Sequence, residues 1–179
     1  MSKPRPPEPA KLVISLFMKE KNLLQPVAEE LSERFGSADM VSAWLPFDYT
    51  SYYEPEMGAP LFRRVLTFTS LIRQRDLADI KIETNEIEIK YSENNNRQVN
   101  IDPGYMLRER FVLATGKNFT HRIYIGKHIY ADLTLVYTKG AFRELPWTYP
   151  DYADKRMLAY LELVRKRYVT DLKKMKEAQ

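Results

Sequence analysis

Between positions 100 and 132 the chain gathers six polar side chains able to do chemistry: Asn100, Asp102, Lys117, His121, Arg122 and Asp132. Asp102 opens Asp102-Pro103-Gly104, a turn-forming combination that could aim its carboxylate. Lys117 and Arg122 could together hold an anion such as phosphate. His121 is the residue of this group that ordinarily titrates near neutral pH, so His121 and Asp102 are the candidate acid and base. The same side chains also fit a structural network. In that reading Asp102 caps its own turn, Arg122 pairs with Asp132 across two strands, and His121 is satisfied at a sheet edge.

Two other stretches could join them. If residues 77–91 are helical, Lys81, Thr84, Asn85 and Glu88 share one face, and Lys81 with Asn85 could line the same cleft. The plainer alternative is an exposed face held by local side-chain contacts. Asp48, Glu54 and Glu56 lie in an aromatic loop, Pro46 to Pro60. Asp48 is a candidate ligand-binding group there. These carboxylates, with Asp102 and Asp132, offer the oxygen ligands that Mg²⁺ prefers, but no spacing requires a metal, so the cofactor stays unassigned. The absence of Cys excludes disulfides, thiolate metal sites and a Cys nucleophile. With two His, His121 and His128, zinc is poorly served as well. Ser15, Ser42 and Ser70 have no nucleophile-elbow setting.

The elements that would position these residues follow from pattern. Leu12 to Met18 is an apolar run suited to a buried central strand. Leu24, Val27, Ala28, Leu31 and Phe35 recur at helical spacing, with Pro26 near the start and Gly36 just past the end. Val41–Leu45 and Arg64–Ile72 read as strands. Residues 77–91 fit both a helix and a hairpin; the helix is preferred because Thr84-Asn85-Glu86 lacks the glycine of a tight turn. A short extended piece at Val99–Ile101 ends at the Asp102 turn. Strands near 111–114, 121–125 and 130–137 follow, the last two joined by a hairpin turn at Gly126-Lys127-His128. Leu158, Leu161, Val164, Tyr168 and Leu172 mark one face of a long C-terminal helix. The expected fold is α+β: a single domain with an antiparallel or mixed sheet of about five to six strands and about three helices, packed mainly on one face. Residues 1–10 read as a disordered proline-rich arm, 11–169 as the domain and 170–179 as a basic helix end or tail.

Composition bounds the rest. A chain of 179 residues that is 44% hydrophobic can build a real core. No apolar run reaches the roughly 20 residues of a bilayer span, and the N-terminus lacks the apolar stretch of a signal peptide. A cytoplasmic protein without a membrane partner is the expectation. The net charge of +4 is uneven: residues 155–179 hold eight basic side chains against three acidic. That makes RNA a conceivable partner, although a solvated helix face is the plainer reading.

Several stretches together resemble one family. They are Pro46-Phe47-Asp48-Tyr49-Thr50 with Glu56-Met57-Gly58, Val99 to Tyr105, Ala114 to Phe119 running into His121-Arg122-Ile123-Tyr124, and Pro146 to Tyr152. The chain is similar in these to the bacterial family known as domain of unknown function 4416, over roughly residues 11–168. The resemblance implies no established activity, though some members carry the label "GTP-binding protein". A P-loop would require an upstream Gly and a hydroxyl after Gly116-Lys117; neither is present, and no Asn-Lys-x-Asp exists to read guanine. The expected function is binding of a small anionic ligand such as a nucleotide or phosphorylated metabolite, with catalysis on it left open. The alternative is a non-catalytic module that contacts RNA or protein.

Overall fold

All nine residues of β1 (Ala10–Met18) are buried, which requires cover on both faces of its sheet. The computed structural model describes residues 1–177. After β1 the chain forms α1 (Leu24–Phe35) and two short strands, β2 (Ala38–Val41) and β3 (Leu45–Phe47). A single-turn helix, α2 (Glu54–Met57), precedes β4 (Leu61–Ile72) and α3 (Leu77–Lys90). A small hairpin, β5 (Ser92–Glu93) with β6 (Asn96–Arg97), leads into β7 (Val99–Met106), β8 (Arg110–Thr115) and β9 (Arg122–Gly126). The chain finishes with β10 (Ile129–Thr138), β11 (Ala141–Glu144), the one-turn α4 (Pro150–Ala153) and the long α5 (Lys155–Glu177).

Nine strands make one antiparallel sheet in the order β11-β10-β8-β7-β1-β4-β2, with β3 also on β4 and β9 on β10. The α+β class holds, but the sheet is larger than the five to six strands expected. The piece predicted at Val41–Leu45 is two strands, β2 and β3, both paired to β4. Their exposed link at Ala43 breaks the run. β11 buries only Phe142, so its apolar signal is too thin to register in sequence.

The helices sit on both faces rather than mainly one. Leu12, Ile14, Leu16 and Met18 of β1 pack with Val27 and Leu31 of α1 and Ile80 and Ile87 of α3. The alternate residue Val13, with Val65 of β4, packs with Leu161, Val164 and Tyr168 of α5. Period 2 in β1 therefore feeds two helical layers. Residues 77–90 are helical, as preferred. Leu77, Ile80, Thr84 and Ile87 are buried at helical spacing while Ile89 is 73% exposed.

Among the described residues no helix is long and apolar enough to cross a membrane. Met1–Pro7 is exposed; from Glu8 the arm is held by Lys176 at 2.8 Å and by Tyr168 OH, which donates to the Pro9 carbonyl at 2.8 Å. The last two residues of the predicted 170–179 tail lie outside the described residues.

Candidate functional site

The sheet opens where β7 and β8 part. Asp102-Pro103-Gly104 is not a turn that ends a strand; β7 runs through it. Pairing between β7 and β8 covers only Gly104↔Leu113, Tyr105↔Val112 and Met106↔Phe111. Gly104 is needed for that closest approach, because a Cβ there would collide with the Val112 carbonyl oxygen. Pro103, one residue earlier, has no N–H to offer a neighbour.

The free edge of β7 is finished by α3. Glu88 accepts the Ile101 N–H at 2.5 Å, and Lys81 Nζ donates to the Ile101 carbonyl at 2.7 Å. Both Ile101 groups thus face away from β1, and by strand alternation so does the nitrogen of Pro103. Two helix side chains take the place of the missing strand, as a buried backbone requires.

Between this edge and the C-terminal half of β8 lies a cavity of about 580 Å³, well within the range of small-molecule sites. Lys81, Asn85, Asn100, Asp102, Lys117 and Asp132 all line it. Its aromatic wall is built by Phe17 stacked on Phe47 at 4.2 Å and by Tyr53 against both. The segment around Tyr149 and Tyr152 closes the far side.

Three of the predicted residues do not line the cavity. Asp48 is exposed on the β3–α2 loop, away from the hollow. His121 precedes β9 and stacks on Trp147 at 4.8 Å, its Nε2 lying 3.2 Å from Asp132 Oδ2. Arg122 donates from Nε to the same oxygen at 2.9 Å and also bonds the Lys117 carbonyl and Tyr149 OH. Asp132 and Arg122 are register partners across β10 and β9, so Arg122 and His121 clamp the Asp132 carboxylate that itself lines the cavity.

The floor carries a connected polar network. Asn100 donates to Asp102 Oδ2 at 2.7 Å and accepts from Arg97 at 2.8 Å. Arg97 is held in turn by both carboxylate oxygens of Glu56, at 2.7 and 2.8 Å, and by Glu88 at 3.1 Å. Lys81 Nζ stands 3.7 Å from Asp102 Oδ1 and 3.9 Å from Glu88 Oε1, looser than its bond to the backbone. Burial lifts the Glu88 carboxyl above its ordinary 4.5; Lys81 opposes the rise and Asp102 adds to it. At the rim, exposed Lys117 rests over the Tyr52 ring at 4.7 Å and near its hydroxyl at 3.4 Å. Among the described residues no carboxylate lies within salt-bridge reach of Lys117.

Arg63, Arg97 and Asp151 are cleft residues that the sequence reading passed over. Arg63 had a signal: a charged side chain inside the apolar run of β4, now buried and paired with Asp151. Arg97 had none, since it sits beside a polar turn. Among the described residues no three His, Asp or Glu side chains gather as a metal set, and Glu56 is spent on Arg97. A larger groove of about 930 Å³ runs between α1 and Trp44. It holds none of these residues; Gln25 is bonded to Glu29 there, and Lys21 lies over the Phe62 ring.

A family model described as "Domain of unknown function (DUF4416)" matches residues 8–168. No curated protein and no solved structure matches the chain.

Proposed function

The chain belongs to the family described as domain of unknown function (DUF4416), and from the chemistry of the cleft we propose that it binds a small ligand bearing phosphate or another anionic group, a nucleotide or phosphorylated metabolite. One observation carries this reading. Six polar residues from α3, β7, the β8–β9 connection and β10 converge on a hollow of ligand size, and Lys117 at its rim meets Tyr52 and, among the described residues, no carboxylate partner. A free ammonium beside a tyrosine ring suits an anion attached to something larger. The aromatic wall supplies the apolar contact area that small-molecule sites use. Asp102, with 30% of its side chain exposed, is the carboxylate that a bound ligand would meet.

The cations of α5 give an RNA surface less support. Arg167 is paired with Asp171 and Asp39, Lys176 with Glu8, Arg156 with Asp154 and Lys173 with Glu177, which among the described residues leaves three lysines of this helix, Lys155, Lys166 and Lys174, without a carboxylate partner. Counterion release needs cations free to meet phosphates.

A thermal-shift panel of nucleotides and sugar phosphates tests the proposal. A ligand at 100 times its Kd adds about 2.7 kcal/mol, which raises Tm by roughly 5–10 °C for a chain of this size. Lys117→Ala should keep the unliganded Tm and blunt that rise. If no member of the panel stabilises the protein, or if Lys117→Ala responds like the wild type, the reading is wrong.

A further inference from the structure

Most polar groups of the cleft are committed to one another, and three accessible ones are not. On α3, Lys81 and Glu88 are both pinned to Ile101 of β7, and Thr84 is buried with its hydroxyl on the Lys81 carbonyl. Asn85 shares that helical face, flanking Lys81 on the side away from Thr84. It is half-buried and lines the cavity, and among the described residues its side-chain amide has no hydrogen-bond partner. Asp102 accepts from Asn100 through Oδ2, while Oδ1 has only Lys81 at 3.7 Å. Tyr149 also lines the cavity, 42% exposed, with its hydroxyl tied to Arg122. Among the described residues no other aromatic ring packs on Tyr149, whereas the faces of Phe17 and Phe47 are covered by each other and by Arg63. A free amide, a free carboxylate oxygen and a held ring thus reach one hollow from α3, β7 and the segment before α4.

We propose that these three groups read a nucleobase, so that the cleft takes a nucleoside phosphate with its phosphate outward at Lys117 and with Asn85 as the residue that determines specificity. The inference rests on the cleft being the ligand site and narrows the ligand to one class. A primary amide presents a donor and an acceptor in one plane. The edge of a base offers the matching pair, which is why Asn can hold a base through two hydrogen bonds. Asp102 Oδ1 is an acceptor beside it, suited to an N–H of the same heterocycle. The Tyr149 ring, fixed by Arg122, gives the flat base a surface to stack on, a contact open to every base. Charge decides the orientation. Arg63 is offset by Asp151, Lys81 by Glu88 and Asp102, Arg97 by Glu56 and Glu88, and Arg122 by Asp132. Lys117 is the cavity-lining cation that meets no carboxylate among the described residues, so the phosphate belongs at the rim and the uncharged base beneath it.

Calorimetry with the common nucleoside monophosphates and with ribose phosphate, which lacks the base, separates the parts of this account. The tightest nucleotide should bind well over tenfold more strongly than ribose phosphate, the margin that stacking and two hydrogen bonds supply. Asn85→Ala should weaken that nucleotide about tenfold and leave ribose phosphate unchanged. Lys117→Ala should weaken both. Asn85→Ala should not lower the unliganded Tm, because the amide is unbonded in the free protein and Ala is the better helix former; a clear drop would show a structural role and overturn the base site. Ribose phosphate binding as tightly as every nucleotide, or Asn85→Ala responding to the nucleotide like the wild type, overturns the base site and leaves the cleft reading standing. If neither nucleotides nor ribose phosphate bind, both readings fall.

Discussion

Two of the clusters of buried charge in this protein are built to different standards. The first joins β1, β2 and α5. Lys11, fully buried, donates to Asp39 at 2.6 Å and to Asp171 at 2.8 Å, while Thr67 bonds Asp39 at 2.6 Å. Arg167 reaches both carboxylates from outside. The second is the cleft floor, where Lys81 stands 3.7 Å from Asp102 and 3.9 Å from Glu88 beside an open hollow. The same residue types serve in both. In the first, short bonds on all sides leave nothing for a ligand; in the second, the donors have been spent on backbone and the carboxylate of Asp102 is left partly exposed. Proton affinities move in opposite directions. Burial pushes Asp39 up, but hydrogen bonds from Lys11 and Thr67 and the charges of Lys11 and Arg167 outweigh it, so its carboxyl is held below the ordinary 3.8. Glu88 is held above its ordinary 4.5.

The contrast can be broken most forcefully at Lys11. Lys11→Ala leaves two buried carboxylates facing each other and should lower stability by about 3–5 kcal/mol, read from the urea midpoint. Ligand affinity of the folded fraction should not change. Gly104→Ala comes next: the new methyl meets the Val112 carbonyl where β7 and β8 touch. Crowding of this kind costs about 1–3 kcal/mol, again by urea titration, and should disturb the cleft because it opens the branch point that shapes it.

Asp102→Asn should be smaller still in stability, within about 1 kcal/mol, since its pairing with Lys81 is long and partly solvated. Its effect should fall on ligand binding. The smallest effect is a pH profile for Glu88→Gln. A carboxyl raised in the folded state costs stability progressively as pH rises from its unfolded value toward its folded one. The difference in Tm between Glu88→Gln and wild type should therefore move in favour of the variant from pH 4 to pH 7. Asp39→Asn should show the opposite slope in acid, because a depressed carboxyl contributes fully above 3.8 and loses that contribution as pH falls below it. Parallel profiles for the two variants would erase the distinction.

The residues explain how much of this could be read in advance. β1, α1, α3 and α5 carry long periodic patterns, because burial on one stripe or on two faces dictates them. Asp102-Pro103-Gly104 misled because those three residues form turns in isolation. Here the fold uses Pro103 and Gly104 for another purpose, to end one ladder and to let two backbones touch. The convergence of Lys81, Asn85, Asn100, Asp102, Lys117 and Asp132 was legible in residue type. The pairing of Arg122 with Asp132 across two strands was legible as the structural alternative, but only the β9–β10 register and the Trp147 ring decide in its favour. Arg97 was invisible, because its partners Glu56 and Glu88 are brought to it by α2 and α3.

The ligand-induced rise in Tm, measured side by side on Asp102→Asn and Asp171→Asn with the most stabilising nucleotide or sugar phosphate, puts the two clusters against each other. Asp102→Asn should melt like the wild type when free and lose the rise, whereas Asp171→Asn should melt earlier and keep it. A rise that survives Asp102→Asn but disappears with Asp171→Asn would place the ligand at the wrong cluster and contradict the account.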